Sequence, residues 1–446
     1  MNILNSVNGA VPKQSQVPGT DLKNFAMMIF GAAFFLRLAI AWKAGFFHHF
    51  EHDEMVRIAL SLVKDREFGN PFLIHTGPTA HEMPLYPLFM AAIYFVCGTG
   101  ALAEAVKIGL ACSVSALRCA LIPFFCVAAN LSRTVAIIAG IFASLYIGAL
   151  QTELRGNWDG PLQAIVLLIL IWATVRIWRD QSWSKQIPWP YFVLWGIAIL
   201  LQPAFLPILA AFMLAGLIAC QRGVRRRYLT QCLFLTVLTL AFLSPWAIRN
   251  YFRLGKFVLT KDNFGLELWV SNGPGRAYDV QTNLGYRSPH PSTDLREAQK
   301  VLQLGEIRYN EMKLAEAENW IRDNPGKWAR LTALRFLAFW FPPGRNRVHT
   351  AFNFSVTLLS FVGLGLLFRK HRLLATLFAL TWLSFPPIYY IVQWSTKYRY
   401  PIDWQFVICG SVSLALISEL MIARLSRNWG HSSAPNMSVE RDGPVV

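Results

Sequence analysis

Residues Phe25–Ala44 read FAMMIFGAAFFLRLAIAWKA, and His52-Asp53-Glu54 follows shortly after. Twenty residues at ~1.5 Å per residue match the ~30 Å hydrocarbon core of a bilayer. The run is too long for a signal-peptide core, and no small-residue cleavage site follows it, so it reads as a retained first span. Similar runs recur at 160–178, 229–247, 351–368, 373–392 and 404–423. The run 107–129 carries Arg118 in its middle, and 134–150 is slightly short. The run 191–220 would be ~45 Å long as one helix. Gln202-Pro203 divides it, because proline removes a backbone donor and kinks a helix; two short helices or a re-entrant hairpin are expected. The run 85–97 is the shortest and is expected not to cross. The fold class is therefore an all-α polytopic membrane protein, with about ten transmembrane helices, outer-face juxtamembrane helices and a small extracytoplasmic cap.

Composition supports this reading. Of 446 residues, 54% are hydrophobic and 15% charged, which excludes a soluble multidomain chain. The net charge of +17 would suggest nucleic acid in a soluble protein. Here the basic residues gather in short loops: Arg222 and Arg225–Arg227; Arg369, Lys370 and Arg372; Arg424 and Arg427. That is the positive-inside pattern, and no basic-aromatic nucleic-acid motif accompanies it. The seven cysteines, Cys97, Cys112, Cys119, Cys126, Cys220, Cys232 and Cys409, lie in or beside apolar runs and form neither a disulfide framework nor a CxxC pair. Cys112, Cys119 and Cys126 recur every seven residues, a packing face.

Charge counting puts the N-terminus, 179–190, 221–228, 369–372 and the C-tail in the cytoplasm, and 45–84, 151–159, 248–350 and 393–401 outside. Five regions follow. Residues 1–23 are a polar, disordered tail. Residues 24–247 form a membrane module with its first outer loop at 45–84. Residues 248–350 form an outside cap, 351–423 the C-terminal transmembrane helices, and 424–446 a cytoplasmic tail. Within the cap, Asp294 with Glu297 three residues on marks a helix start, and Leu295, Ala298, Leu302, Tyr309 and Met312 mark one face. Asn324-Pro325 opens a second helix. It runs into Arg335–Trp340, an aromatic-basic stretch suited to the membrane interface.

The candidate chemistry sits at the outer edge of the spans. Asp53 and Glu54 lie just past the first span, and His81 and Glu82 precede Met83-Pro84-Leu85-Tyr86-Pro87, where the chain returns to apolar sequence. A carboxylate at that depth is partly desolvated, which raises its basicity. The bland alternative is a solvated acid beside a span end. Asp159 stands at an outer helix start, where the dipole alone favours an acid. Arg249, Lys397 and Arg399 lie at outer span ends, suited either to phosphate or to snorkelling. Arg37 and Arg118 are charges inside apolar runs and need a partner, carbonyls or a wet cavity.

The order of first span, Asp-Glu, then a Pro/Tyr-rich return into the membrane resembles the class C glycosyltransferases, which include the protein O-mannosyltransferases and the aminoarabinose transferase of lipid A. Ser244-Pro245-Trp246-Ala247-Ile248-Arg249-Asn250-Tyr251 and Asn263-Phe264-Gly265-Leu266-Glu267-Leu268-Trp269…Ser271-Asn272 resemble a bacterial PWxxRNY…NxGxxLWxxN pattern. Lys397-Tyr398-Arg399-Tyr400-Pro401-Ile402-Asp403 resembles an RYxxP that opens a late span, and Asn157-Trp158-Asp159 resembles an outer-loop aromatic-acid motif. The matches run in order from about Ile29 to Ala423. One departure stands out: the family carries a lysine before the re-entry prolines, where this chain has His81 and Glu82.

The resemblance implies a bacterial inner-membrane enzyme with its active site facing the exterior. It would move a sugar from an undecaprenyl-phosphate (polyprenyl-phosphate) donor to an acceptor hydroxyl on protein, lipid or glycan, inverting the anomeric carbon. Asp53 would be the base, with Glu54 completing the catalytic pair. Arg399, Arg249, Lys397 and His81 would face the donor phosphate, and Glu82, Asp159, Asn272 and Tyr86 the substrates. Asp53, Asp159, Arg249 and Arg399 are expected to converge on one outward cavity. Membrane lipids are the other partner, and nucleic acid is not. No cofactor is expected. A divalent ion shared by Asp53, Glu54 and Asp159 is weighed and set aside, since carboxylates without histidine are a weak signal. The alternatives are a transporter or flippase for a lipid-linked saccharide, and an envelope scaffold, which leaves the Asp-Glu loop unexplained.

Overall fold

The structure is a computed structural model describing residues 19–47, 53–146, 150, 159–179, 187–283 and 289–432. His52, Asn157 and Trp158 lie outside the described residues, as do the N-terminal 18 residues and the tail beyond 432.

The regular structure among the described residues is helical, with two isolated bridges (Gly69 with Pro78, Asp279 with Trp394) in the loops. We number the main helices α1 (Gly19–Lys43), α2 (Glu54–Lys64), α3 (Leu85–Cys97), α4 (Ala101–Ala128), α5 (Arg133–Leu145), α6 (Asp159–Arg179), α7 (Trp189–Leu201), α8 (Leu206–Ala219), α9 (Arg225–Leu254), α10 (Phe264–Ser271), α11 (Leu295–Leu304), α12 (Glu306–Asp323), α13 (Pro325–Trp340), α14 (Arg347–Lys370), α15 (Arg372–Ser384) and α16 (Thr396–Ser432).

Among the described residues, seven stretches are long and apolar enough to cross a membrane: Asp21–Lys43, Ala101–Ala128, Asp159–Arg179, Arg222–Leu254, Arg347–Lys370, Arg372–Ile391 and Thr396–Arg424. Four shorter apolar helical stretches lie among them, including α3, α5 and α7. This is a multi-pass membrane protein. At 13 residues α3 reaches only ~20 Å, which accords with the expectation that 85–97 does not cross.

Several boundaries differ from the hydropathy reading. The first helix begins at Gly19, because residues 20–23 continue it beyond its apolar part. The second long helix begins at Ala101, with Glu104 and Lys107 inside it. These two are buried and paired at 2.9 Å, and both bond the Tyr94 hydroxyl from α3. The 191–220 run breaks where proline predicts. Gln202 is extended (φ −148°, ψ 101°) and one 3₁₀ turn, Pro203–Phe205, leads into α8.

The bundle is built around α16, which packs on α5, α6 and α14. α1 packs on α4 and α5. Gly363 permits the α14–α16 contact, since a Cβ there would lie 1.8 Å from the Cys409 carbonyl oxygen. Cys112, Cys119 and Cys126 are buried packing residues. The two intramembrane arginines find internal partners. Arg37 donates to Ser115 Oγ (2.7 Å) and to the carbonyls of Ala33 and Ser144. Arg118 stacks over Tyr400, 5.0 Å from the ring centre.

The cap starts where Gly255 (φ 74°) ends α9. α10 packs on α12, and Leu266, Val270, Ala298, Val301 and Tyr309 form a small core with Phe72 of the first outer loop. Asp294 caps α11 by accepting from the amides of Arg296 and Glu297. Pro325 opens α13 as the sequence suggests. The Arg335–Trp340 stretch, read as suited to the membrane interface, divides: Phe336 and Leu337 are exposed. Arg335, Phe339 and Trp340 are buried, and Arg335 donates to the Asn272 side chain and to the carbonyls of Ser271 and Ile391.

Candidate functional site

The first outer loop is not loop throughout. Asp53 is the N-cap of α2, its Oδ1 accepting from the Val56 amide at 3.0 Å. A helix N-terminus favours a carboxylate and would hold it low. Burial acts the other way and is larger. Together with the adjacent Glu54 charge it pushes the Asp53 carboxyl up to about 6, against the Val56 bond and Lys397.

The loop's return into the membrane is held by a clamp from the end of α9. Arg249 donates to the carbonyls of Thr79 (2.6 Å) and Phe68 (2.5 Å) and lies over the contacting rings of Phe68 and Trp246. Trp246 donates to Thr260 O and Asn250 to Val258 O. From the cap, Glu306 accepts from the Thr79 hydroxyl and from the Ala80 amide. Its own carboxyl is pushed up to about 8, chiefly by burial. The clamp brings residues 256–262 against residues 79–82. Asp262 N donates to Ala80 O, and Lys261 forms an ion pair with Glu82.

Around this frame the charges converge. Asp53, Asp159 and Lys397 are close enough to act on one another electrostatically. Glu82 and Lys261 act on Asp159. Glu267 of α10 joins them, its carboxyl pushed up to about 7 by burial and by Glu54, against Lys397. Lys397 is exposed at the start of α16, beside Tyr398, whose ring stacks on Tyr389 at 4.7 Å. Asp159 opens α6 and accepts from Gln163 at 3.4 Å; Gln163 in turn accepts from Gln202 at 3.3 Å. The α7–α8 break therefore sits at this end of the bundle.

Glu54 lies on the other side of Asp53. The Ser292 hydroxyl donates to its Oε1, and His290 Nδ1 lies 3.9 Å from that oxygen. Burial opposes the charge, but His290, His81 and Ser292 outweigh it and hold the carboxyl down to about 2. His81 and His290 face each other with ring centres 6.2 Å apart, both edged by Phe72. Burial lowers both imidazoles, His290 to about 4. Glu54, His81 and His290 each offer one donor atom within 4.8 Å of the others and, among the described residues, are a group that could hold a metal. It differs from the Asp53/Glu54/Asp159 set considered from sequence.

The proposed phosphate and substrate residues thus divide. Asp53, Glu54, His81, Glu82, Asp159 and Lys397 come together. Arg249 is the clamp behind the loop. Arg399 is buried, bonded to Asp403 at 2.7 Å and to the Phe339 and Trp340 carbonyls, with Phe406 under its guanidinium. Asn272 spends its amide on Leu268 O, Ile391 O and Arg335. Tyr86 is buried in the apolar cluster of α2, α3 and α4. Sequence reasoning passed over Lys261, Glu267 and His290. Glu267 had a signal, a lone acid inside the apolar octet of α10; Lys261 and His290 had none.

Below the site an aliphatic groove of about 670 Å³ runs between α8 and α9. Leu206, Leu209, Met213, Leu229 and Leu243 line it, and its outer end is Leu259-Thr260, next to Lys261.

Neither a protein-family model nor a curated protein matches the sequence. Among solved structures, the fold is similar to the oligosaccharyltransferase of Archaeoglobus fulgidus in its apo form. The TM-score is 0.54 at 12% identity, over 93% of this chain and 52% of that one. The likeness is one of fold: a helical multi-pass membrane architecture shared along most of this chain. A second structure of the same enzyme, in complex with zinc and sulfate, gives a TM-score of 0.45 at 11% identity, over 86% and 47%. The chain spans about half the length of the solved enzyme.

Proposed function

We propose that this protein transfers a sugar from a polyprenyl-phosphate carrier to an acceptor hydroxyl, at the exterior face of a bacterial inner membrane. Asp53 takes the acceptor proton, and attack from the face opposite the phosphate inverts the anomeric carbon. The reading is carried by the convergence of Asp53, Asp159, Glu267 and Lys397 at one end of the bundle. A carboxyl near 6 is largely ionised at neutral pH, yet basic enough to accept a proton in the transition state.

As the carrier phosphate leaves it gains negative charge, which Lys397 and Lys261 stabilise. Lys261 supplies, from a distant segment, the cation that the family keeps in its first outer loop. The groove that ends beside Lys261 suits a prenyl tail. Sidedness is supported by the helix ends. α6 and α14 carry Arg176 and Arg179, and Arg369 and Lys370, in their last turns, and α6 meets the site at its opposite end, Asp159.

The test is a transfer assay in membranes with a panel of radiolabelled polyprenyl-phosphate sugars. Asp53→Asn keeps the helix cap, since Asn caps as well as Asp, but removes the base. Turnover should drop by about 10²–10⁴-fold. Undiminished turnover removes Asp53 from this role, and translocation of the saccharide without transfer favours the flippase reading.

A further inference from the structure

Three separate parts of the chain meet behind Asp53: the start of α2, the re-entry turn and the loop before α11. Their side chains, Glu54, His81 and His290, present donor atoms all within 4.8 Å of one another. His81 is 2% exposed and His290 4% exposed. His81 Nδ1 is buried with no hydrogen-bond partner. A buried polar nitrogen without a partner costs about 1–3 kcal/mol, so native structures rarely keep one without a reason.

We propose that Glu54, His81 and His290 form a binding site for a divalent transition-metal cation, with Zn²⁺ the best match. One carboxylate and two imidazoles are the donor set that such borderline cations take. Tetrahedral coordination at ~2.0–2.1 Å needs donors about 3.4 Å apart, so the three side chains close by about 1 Å on binding. The Ser292 amide, which donates to His290 Nδ1 at 3.1 Å, gives way to the metal if that nitrogen coordinates.

An outer layer is already in place. Ser292 Oγ orients the Glu54 carboxylate, Thr79 Oγ1 accepts from the His81 amide at 2.9 Å, and Phe72 lies against both imidazoles. Such partners fix the rotamers and exclude water around a bound ion. Three protein ligands leave one position for water or a substrate oxygen. The ion ties the cap to the first outer loop one residue from Asp53.

The experiment reads metal rather than turnover, so its outcome is independent of the transfer reading. Full-length protein purified in detergent is stripped with a chelator, titrated with Zn²⁺ against a chromophoric competitor, and analysed for metal content. Wild type should bind one equivalent tightly, and its Co²⁺ form should show the strong visible absorption of a four-coordinate site. His290→Gln and His81→Gln should each weaken binding by at least 10-fold, whereas His371→Gln, in the histidine that Arg179 and Lys370 face at the opposite end of the bundle, should not. Monodisperse elution and an unchanged metal-free melting temperature guard against misfolding. Zn²⁺ should raise the melting temperature of wild type but not of His290→Gln. Wild type that takes up no zinc, or equal affinity in wild type and both triad variants, overturns the site.

Discussion

At the residue scale, the arginines and lysines at outer span ends look alike in sequence but do different work. Arg399 is buried against Asp403, and removing one partner of a buried pair costs about 3–5 kcal/mol. Arg399→Gln should therefore lower the melting temperature and the folded yield, while transfer per folded molecule persists. Lys397→Gln should do the reverse: the fold survives, and turnover falls about 10²-fold because the leaving phosphate loses a cation, with Lys397→Arg recovering part. Assays normalised to folded protein separate the two. If Arg399→Gln abolishes specific turnover at unchanged stability, the assignment is inverted. Glu306 offers a pH test. Its folded carboxyl is raised to about 8 against an ordinary 4.5, so the folded state holds the proton more tightly than the unfolded. Between those values the unfolded chain ionises and the folded one does not, so stability falls as pH rises from about 5 to 8. The slope approaches about 1.4 kcal/mol per pH unit. Glu306→Gln should flatten that slope in melting curves recorded across the range; an unchanged slope would place the titration elsewhere.

At the element scale, helix existence was legible and helix function was only half so. Long apolar runs gave α1, α6, α9 and α14 almost directly, because one solvent dictates one pattern. The run read from sequence starts at 107, six residues after α4 begins at Ala101, because Glu104 interrupts the apolar pattern until the structure pairs it with Lys107 and Tyr94. α2 was missed because its apolar stripe is only a few turns long. Motif residues were harder still. Gly265 reads as a family signature, but its work is steric: a Cβ there would lie 2.0 Å from the Asn310 carbonyl oxygen, so it lets α10 lie on α12. Asn272 looks like a sugar ligand and bonds protein instead, whereas Glu267, four residues after Asn263 in the same motif, points its charge into the site's field. Neither distinction follows from spacing, because both depend on which elements meet. The α14–α16 contact gives a sharp test. Gly363→Ala should cost about 3 kcal/mol, at the upper end of overpacking effects. Gly365→Ala, with nothing within 4 Å of the added carbon, should be neutral. Equal melting temperatures for the two variants would mean that the helices do not meet as described.

At the scale of the whole molecule, the acids gather at one end and the cytoplasm-like basic clusters at the other. Arg179 and Lys370 both act on His371, so the last turn of α6 and the α14–α15 turn share that basic end. A background with the seven cysteines changed to serine allows single cysteines at Lys300 in the cap and at Arg226 in the first turn of α9. Lys300→Cys should react with a membrane-impermeant maleimide added to intact cells, and Arg226→Cys should react only after lysis. The opposite result would put Asp53 in the cytosol and end the proposed chemistry. The gathering of basic residues at the ends of the spans was legible from charge alone. The meeting of Glu54, His81 and His290 was not, since their separation in sequence leaves no local pattern.

The corridor between α8 and α9 presents mostly leucine, alanine and methionine, with Cys232, Thr236, Thr239 and Thr260 among them and no ring or charge along its wall. A surface without rings or charges holds a greasy strand by area, not by register, and cannot measure where that strand ends. Carriers trimmed by a few isoprene units should thus be handled much like long ones, which leaves recognition to the phosphate and the sugar. A host with a different carrier length would need no redesign of this wall.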